Sequence, residues 1–65
     1  MKDSLRVLQQ KLDDARLEVR NLIVMQFRPG NSPRKRAMLH ELEQSARAEV
    51  KLRIKALEYA KSQAR

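Results

Sequence analysis

Cysteine and tryptophan are absent from the 65 residues, glycine occurs once, proline twice, and the only aromatic side chains are Phe27 and Tyr59. Each shortage excludes something. Without cysteine there is no disulfide and no thiolate metal site, so nothing covalent or zinc-bound reinforces the thin core that this length permits. One glycine cannot build a loop that cradles phosphate. His40 is the only imidazole, and carboxylates without His or Cys at ligand spacing are ordinary surface charge, so neither a metal nor another cofactor is expected. The longest apolar run, Leu22-Ile23-Val24-Met25, is far short of the roughly 20 residues of a membrane span. The opening Met1-Lys2-Asp3-Ser4 has no apolar stretch of a secretory signal, which makes a cytoplasmic protein the expectation.

Catalytic chemistry is equally short of material. His40 lies one turn before Glu43 with no nucleophile in a recognisable setting beside it. Asp13 and Asp14 are adjacent, so on a helix their side chains diverge by about 100° and form no paired-carboxylate site. Ser4, Ser32, Ser45 and Ser62 read as caps and helix-surface residues. A non-enzymatic protein is expected.

What the chain does have is helical periodicity, interrupted once. Pro29-Gly30-Asn31-Ser32-Pro33 contains the only glycine and both prolines. Pro29 turns Arg28 away from the α region, and Gly30 can take a positive φ, which stops a first helix near Phe27. Ser32 then serves as N-cap and Pro33 as first residue of a second helix, with Asp3 or Ser4 capping the first. The first segment carries an apolar seam of Leu5, Leu8, Leu12, Ala15, Val19 and Leu22. The second carries Leu39, Leu42, Ala46, Val50, Ile54 and Leu57. Glu43 before Arg47, and Glu49 before Arg53, stand in the favourable order for i,i+4 pairs on an exposed face. At 1.5 Å per residue the helices should run roughly 35–40 Å and 45–48 Å.

The expected fold class is therefore all-α. It is an antiparallel two-helix hairpin, helix-turn-helix in shape but not the DNA-reading motif, in one domain over 1–65. Helix 3–27, basic break 28–33 and helix 33–64 are its parts. Apolar residues exceed what two seams bury: Leu17, Val24, Val7 and Met25 lie off the first, Leu52 and Tyr59 off the second. The stretch Leu22–Phe27 is apolar nearly all round, the pattern of a buried end. Leaving such side chains wet forfeits about 1.5–3 kcal/mol for each large one. Association follows, with a homo-oligomer (a dimer completing a four-helix bundle) as the first solution and a partner-protein helix as its rival. Leu17, Leu22, Val24, Met25, Phe27, Leu52 and Tyr59 are the candidate interface.

Charge is unevenly spread. The formal net charge is +7, and residues 28–36 hold four bases (Arg28, Arg34, Lys35, Arg36) with no acid, so more than half the excess lies at one tip. Three of these occupy the first turn of the second helix, where the macrodipole disfavours cations by a few tenths to about 1 kcal/mol. A bound anion offsets that, drawn also by free N–H groups at the helix start. Arg47, Lys51 and Lys55 recur every four residues as a further basic stripe. Together these seven residues form a candidate nucleic-acid backbone contact, to RNA or DNA phosphates, with no stacking aromatic in the basic tip.

In length and break position the chain resembles the co-chaperones of type III secretion needle subunits, whose apolar faces cover a partner helix. As a basic hairpin it is similar to the helical-hairpin protein of the bacterial large ribosomal subunit. That family's Arg-Arg-x-Ile-Ala-Arg run is missing, with Ser45-Ala46-Arg47-Ala48 in its stead. Two functional expectations stand side by side. One is an oligomeric hairpin contacting nucleic-acid phosphates through its tip; the other is an adaptor or chaperone-type subunit docking a partner helix.

Overall fold

The computed structural model of the chain describes residues 4–63. It consists of two helices, α1 (Leu5–Gln26) and α2 (Pro33–Gln63), packed side by side as an all-α hairpin. Gln26 near the elbow reaches Glu43, whereas Lys11 and Arg53, far from it, line one groove, so the helices run antiparallel. The long dimension of 51 Å is little more than the length of α2 alone, about 46 Å at 1.5 Å per residue.

Local chemistry sets the boundaries. Ser4 caps α1 by accepting from the Val7 N–H at 3.2 Å, while Asp3 and Ala64, where the sequence pattern puts the outer helix ends, fall outside the described residues. Phe27 closes α1 with φ −89° and ψ −2°, its N–H donating to the Val24 carbonyl at 3.1 Å. Gly30 then takes φ +89°, a left-handed conformation that any side chain would strain. Asn31 folds back so that Nδ2 donates to the Met25 carbonyl at 2.7 Å, satisfying an acceptor that the end of α1 leaves open. Ser32 accepts the Lys35 N–H through Oγ at 3.1 Å and the Arg36 N–H through its carbonyl at 3.0 Å, and Pro33 begins α2.

The buried apolar residues are Leu12 and Ala15 of α1 with Leu39, Ala46 and Leu57 of α2. Leu8, Val19 and Leu22, with Val50 and Ile54, are half-buried around them. Two members of the expected seams lie elsewhere. Leu5, the first residue of α1, is exposed at the end remote from the elbow. Leu42 is 47% exposed while Glu43, expected on the wet face, is 8% exposed. The seam of α2 therefore steps from Leu39 to Glu43 to Ala46. The carboxylate tolerates this because it has partners. Gln26 Nε2 donates to Oε1 at 2.7 Å, and Arg47 Nε donates to Oε2 at 2.6 Å.

The reading of Leu22–Phe27 as a buried end also needs correction for the single chain. Leu22 and Ile23 are half-buried, but Val24 and Met25 are exposed and Phe27 is 83% exposed. The hairpin has only one companion helix, and α1 can turn only one side toward it.

Candidate functional site

The elbow concentrates cations on a well-tied backbone. Arg28 follows the α1 cap, and Arg34, Lys35 and Arg36 form the first turn of α2, which contains no acid. All four side chains are exposed and, among the described residues, none takes part in a hydrogen bond or ion pair. The helix N-terminus supplies less than its sequence promises. Pro33 has no N–H, and Ser32 already engages the N–H groups of Lys35 and Arg36. Arg34 is left as the first-turn donor without a partner among the described residues. Anion attraction at this tip therefore rests on side chains more than on backbone.

From the tip the positive charge continues along one flank of the hairpin. Arg16 and Val19 of α1 with Gln44, Arg47, Ala48, Val50 and Lys51 of α2 line an open groove of about 520 Å³. Its apolar floor is rimmed by three cations and no acid. Arg36 precedes Arg47 by eleven residues, a spacing that returns to the same helix face, and Lys55 follows Lys51 by one turn. Arg36 and the groove thus form one basic strip about 30 Å long between residues 36 and 55, with Arg28, Arg34 and Lys35 clustered at its elbow end.

Arg47 is the anchored member of that strip. Its Nε is held by Glu43, yet half of its side chain remains exposed. The Gln26 amide, and after it the Arg47 guanidinium, hold the Glu43 carboxyl below its ordinary value of 4.5. His40, one turn before Gln44, is an exposed helix residue.

Arg16 was not among the residues that the sequence marks as binding. Its relation to Arg47 and Lys51 depends on the antiparallel register of two segments about 30 residues apart, which no local spacing displays. Phe27, which the sequence leaves outside the basic tip, caps α1 beside Arg28 and is 83% exposed. A pattern of cap and break could have revealed this, since the residue at the end of a helix no longer follows the helix face.

The flank across the seam is different in kind. Lys11, Asp14, Ala15 and Glu18 of α1 with Glu49 and Arg53 of α2 line its groove, and Arg53 Nη2 lies 2.7 Å from Glu49 Oε1. Met25 lies seven residues beyond Glu18, and Leu42 seven before Glu49, which carries an apolar cluster with Leu22 along the same flank toward the elbow. On α1 the carboxylates of Asp13 and Asp14 each accept from a glutamine one turn back, Gln9 at 3.1 Å and Gln10 at 2.9 Å.

The seven apolar residues expected to form an interface do not share a surface. Leu17 and Val24 lie about 180° and 160° from the seam of α1, on its outer edge, and Leu52 and Tyr59 about 160° and 180° from that of α2, on the opposite outer edge. Leu52 and Tyr59 are 62% and 69% exposed. Only Leu22 and Met25 belong together on the balanced flank, while Phe27 stands apart at the elbow.

Among the described residues there is no cluster of three or more acidic or histidine side chains able to hold a metal, and no helix long and apolar enough to cross a membrane. No protein-family model matches the chain, and no curated protein or solved structure is significantly similar to it.

Proposed function

We propose that the protein is a non-enzymatic binder of nucleic-acid phosphates, RNA or DNA, using the basic strip that runs from its elbow along one flank. The observation that carries this reading is the run of unpaired cations Arg28, Arg34, Lys35, Arg36 and Lys51 with no acid on the groove they lead into. Cations in the first turn of a helix cost stability, and among the described residues no acid compensates for them. A phosphate polymer does, by meeting the side chains in succession and releasing its condensed counterions. A cytoplasmic location, the expectation from the sequence, is compatible with such a polymer. Contact of this kind reads charge and spacing rather than sequence, because base-edge readout needs a helix presented end-on or flat in a groove as a reader of bases.

The test is the salt dependence of binding. Neutralising Arg34, Lys35 and Arg36 together should flatten the slope of log K against log salt by roughly 2–3. An unchanged slope, or no binding of any strand at low salt, would rule the reading out.

A second copy of the chain fits the balanced flank. That flank alternates Lys11 and Arg53 with Asp14, Glu18 and Glu49 beside the Leu22–Met25–Leu42 cluster, so it is self-complementary in charge, as an isologous dimer contact requires. Packing there completes a four-helix bundle and leaves both basic strips facing outward. The rival adaptor reading draws on the outer edge of α2, where Leu52 and Tyr59 stand one heptad apart and uncovered.

A further inference from the structure

Phe27 is the most exposed large apolar residue among those described, at 83%, and its backbone is tied into the end of α1. Its own N–H donates to the Val24 carbonyl at 3.1 Å, the Arg28 N–H donates to the Met25 carbonyl at 3.4 Å, and Asn31 clasps that same carbonyl at 2.7 Å. The ring is thus presented by a fixed turn. Arg28 follows it directly, and Arg34, Lys35 and Arg36 open α2 just past the connection 28–32, with no carboxylate in the whole stretch 28–36. An exposed aromatic ring in the same elbow as cations that are unpaired among the described residues matches a nucleotide in both of its parts: a flat π surface for the ring, a phosphate for the guanidinium and ammonium groups. In a duplex the base faces are covered by their neighbours, so only an unpaired base offers its face.

We propose that the elbow is a site for unpaired nucleotides, in which Phe27 stacks on one base while Arg28 and the Arg34–Arg36 turn hold the flanking phosphates. The inference rests on the phosphate-binding reading and narrows it. The strip along the flank takes the backbone of any strand, and the elbow selects single-stranded segments, loops or bulges.

The experiment uses Phe27→Trp, which gives the 65-residue chain its only tryptophan, and Phe27→Ala beside it. Neither change should disturb the fold, because the ring is wet, and circular dichroism checks this. Each protein is titrated with a single-stranded oligonucleotide, an abasic strand of equal length, a duplex, and vesicles containing anionic phospholipid. Tryptophan emission should be quenched by the base-bearing single strand and left nearly unchanged by the abasic strand. Phe27→Ala should weaken the first complex about tenfold and leave both its salt slope and the affinity for the abasic strand unaltered. Equal affinity of the unsubstituted protein for base-bearing and abasic strands, or for single strand and duplex, overturns the stacking site while the phosphate reading stands. Emission that responds to vesicles alone overturns it in favour of a membrane surface. Loss of binding to every strand at low salt removes both readings together.

Discussion

The two flanks of the hairpin are made by the same pair of helices over the same stretch of chain, and they differ in what they do with charge. On one flank Glu49 meets Arg53 at 2.7 Å, and Lys11, Asp14 and Glu18 share the groove, so signs alternate. On the other, Arg16, Arg47 and Lys51 ring a groove without an acid on its rim, and the strip runs on to the acid-free elbow. Solubility cannot account for the second arrangement, because the first already supplies a wet, charged, soluble surface from two cations and three carboxylates. Nor does the fold require it. Both flanks border the same seam of Leu12, Ala15, Leu39, Ala46 and Leu57. An asymmetry that neither folding nor solubility explains points to a ligand of opposite charge on the basic side.

The sharpest way to separate the flanks is to disable the balanced one. Leu42→Asp places an unmatched carboxylate in its apolar cluster. In an isologous dimer each copy loses the leucine contact, about 1.5–3 kcal/mol apiece, so the dimer should weaken at least a hundredfold. Sedimentation should then report a monomer that still binds nucleic acid through the basic strip. Leu52→Asp, on the outer edge of α2, should leave the dimer intact. If Leu52→Asp dissociates the protein and Leu42→Asp does not, the contact lies on the outer edge and the flank assignment is wrong.

A smaller effect tests how the basic flank is anchored. Glu43 sits beneath it, holding Arg47 in place and bonded across to Gln26. Its carboxyl is held down first by the Gln26 amide and then by the Arg47 guanidinium. The folded value thus lies below the unfolded one. The resulting stability is fully present above the ordinary 4.5 and is lost as pH falls from there through the lower folded value. Urea midpoints should therefore drop between pH 7 and pH 3 in the parent chain, with a visibly smaller drop in Glu43→Gln. An identical acid-induced loss in the two proteins would show that the Gln26–Glu43–Arg47 bridge contributes nothing to folding.

How much of this was legible beforehand divides along physical lines. The all-α hairpin was, because the 3.6-residue period, the capping serines Ser4 and Ser32, and the Pro-Gly break act within a few residues of one another. The basic elbow was visible as composition for the same reason. Glu43 was not, because a strict three-four spacing from Leu39 chooses Leu42 next. What brings Glu43 inward is an amide on the other helix, Gln26, in a register that no local pattern specifies. Arg16 stayed hidden for that reason too, since its neighbours in space are Arg47 and Lys51 across the seam. The candidate interface spans more than one face because a wheel for each helix says only which residues miss its seam. It does not say that Leu17 and Leu52 then face opposite ways once the two wheels are packed together.

The finest test compares one cation from each flank, two positions apart on the same helix. Arg53 is paired with Glu49 across a partly exposed i,i+4 contact, so Arg53→Gln should cost only about 0.3–0.5 kcal/mol of stability. It should leave the salt slope of nucleic-acid binding where it was. Lys51 has no partner among the described residues and lines the basic groove, so Lys51→Gln should change stability by no more than about 0.5 kcal/mol in either direction. The slope should become shallower by about 0.9, the signature of one lost phosphate contact. Each substitution removes one unit of positive charge from α2, so overall charge cannot produce a difference between them. Equal slopes would mean that the polymer senses only the net charge of the protein, and the contrast between the flanks would lose its functional meaning.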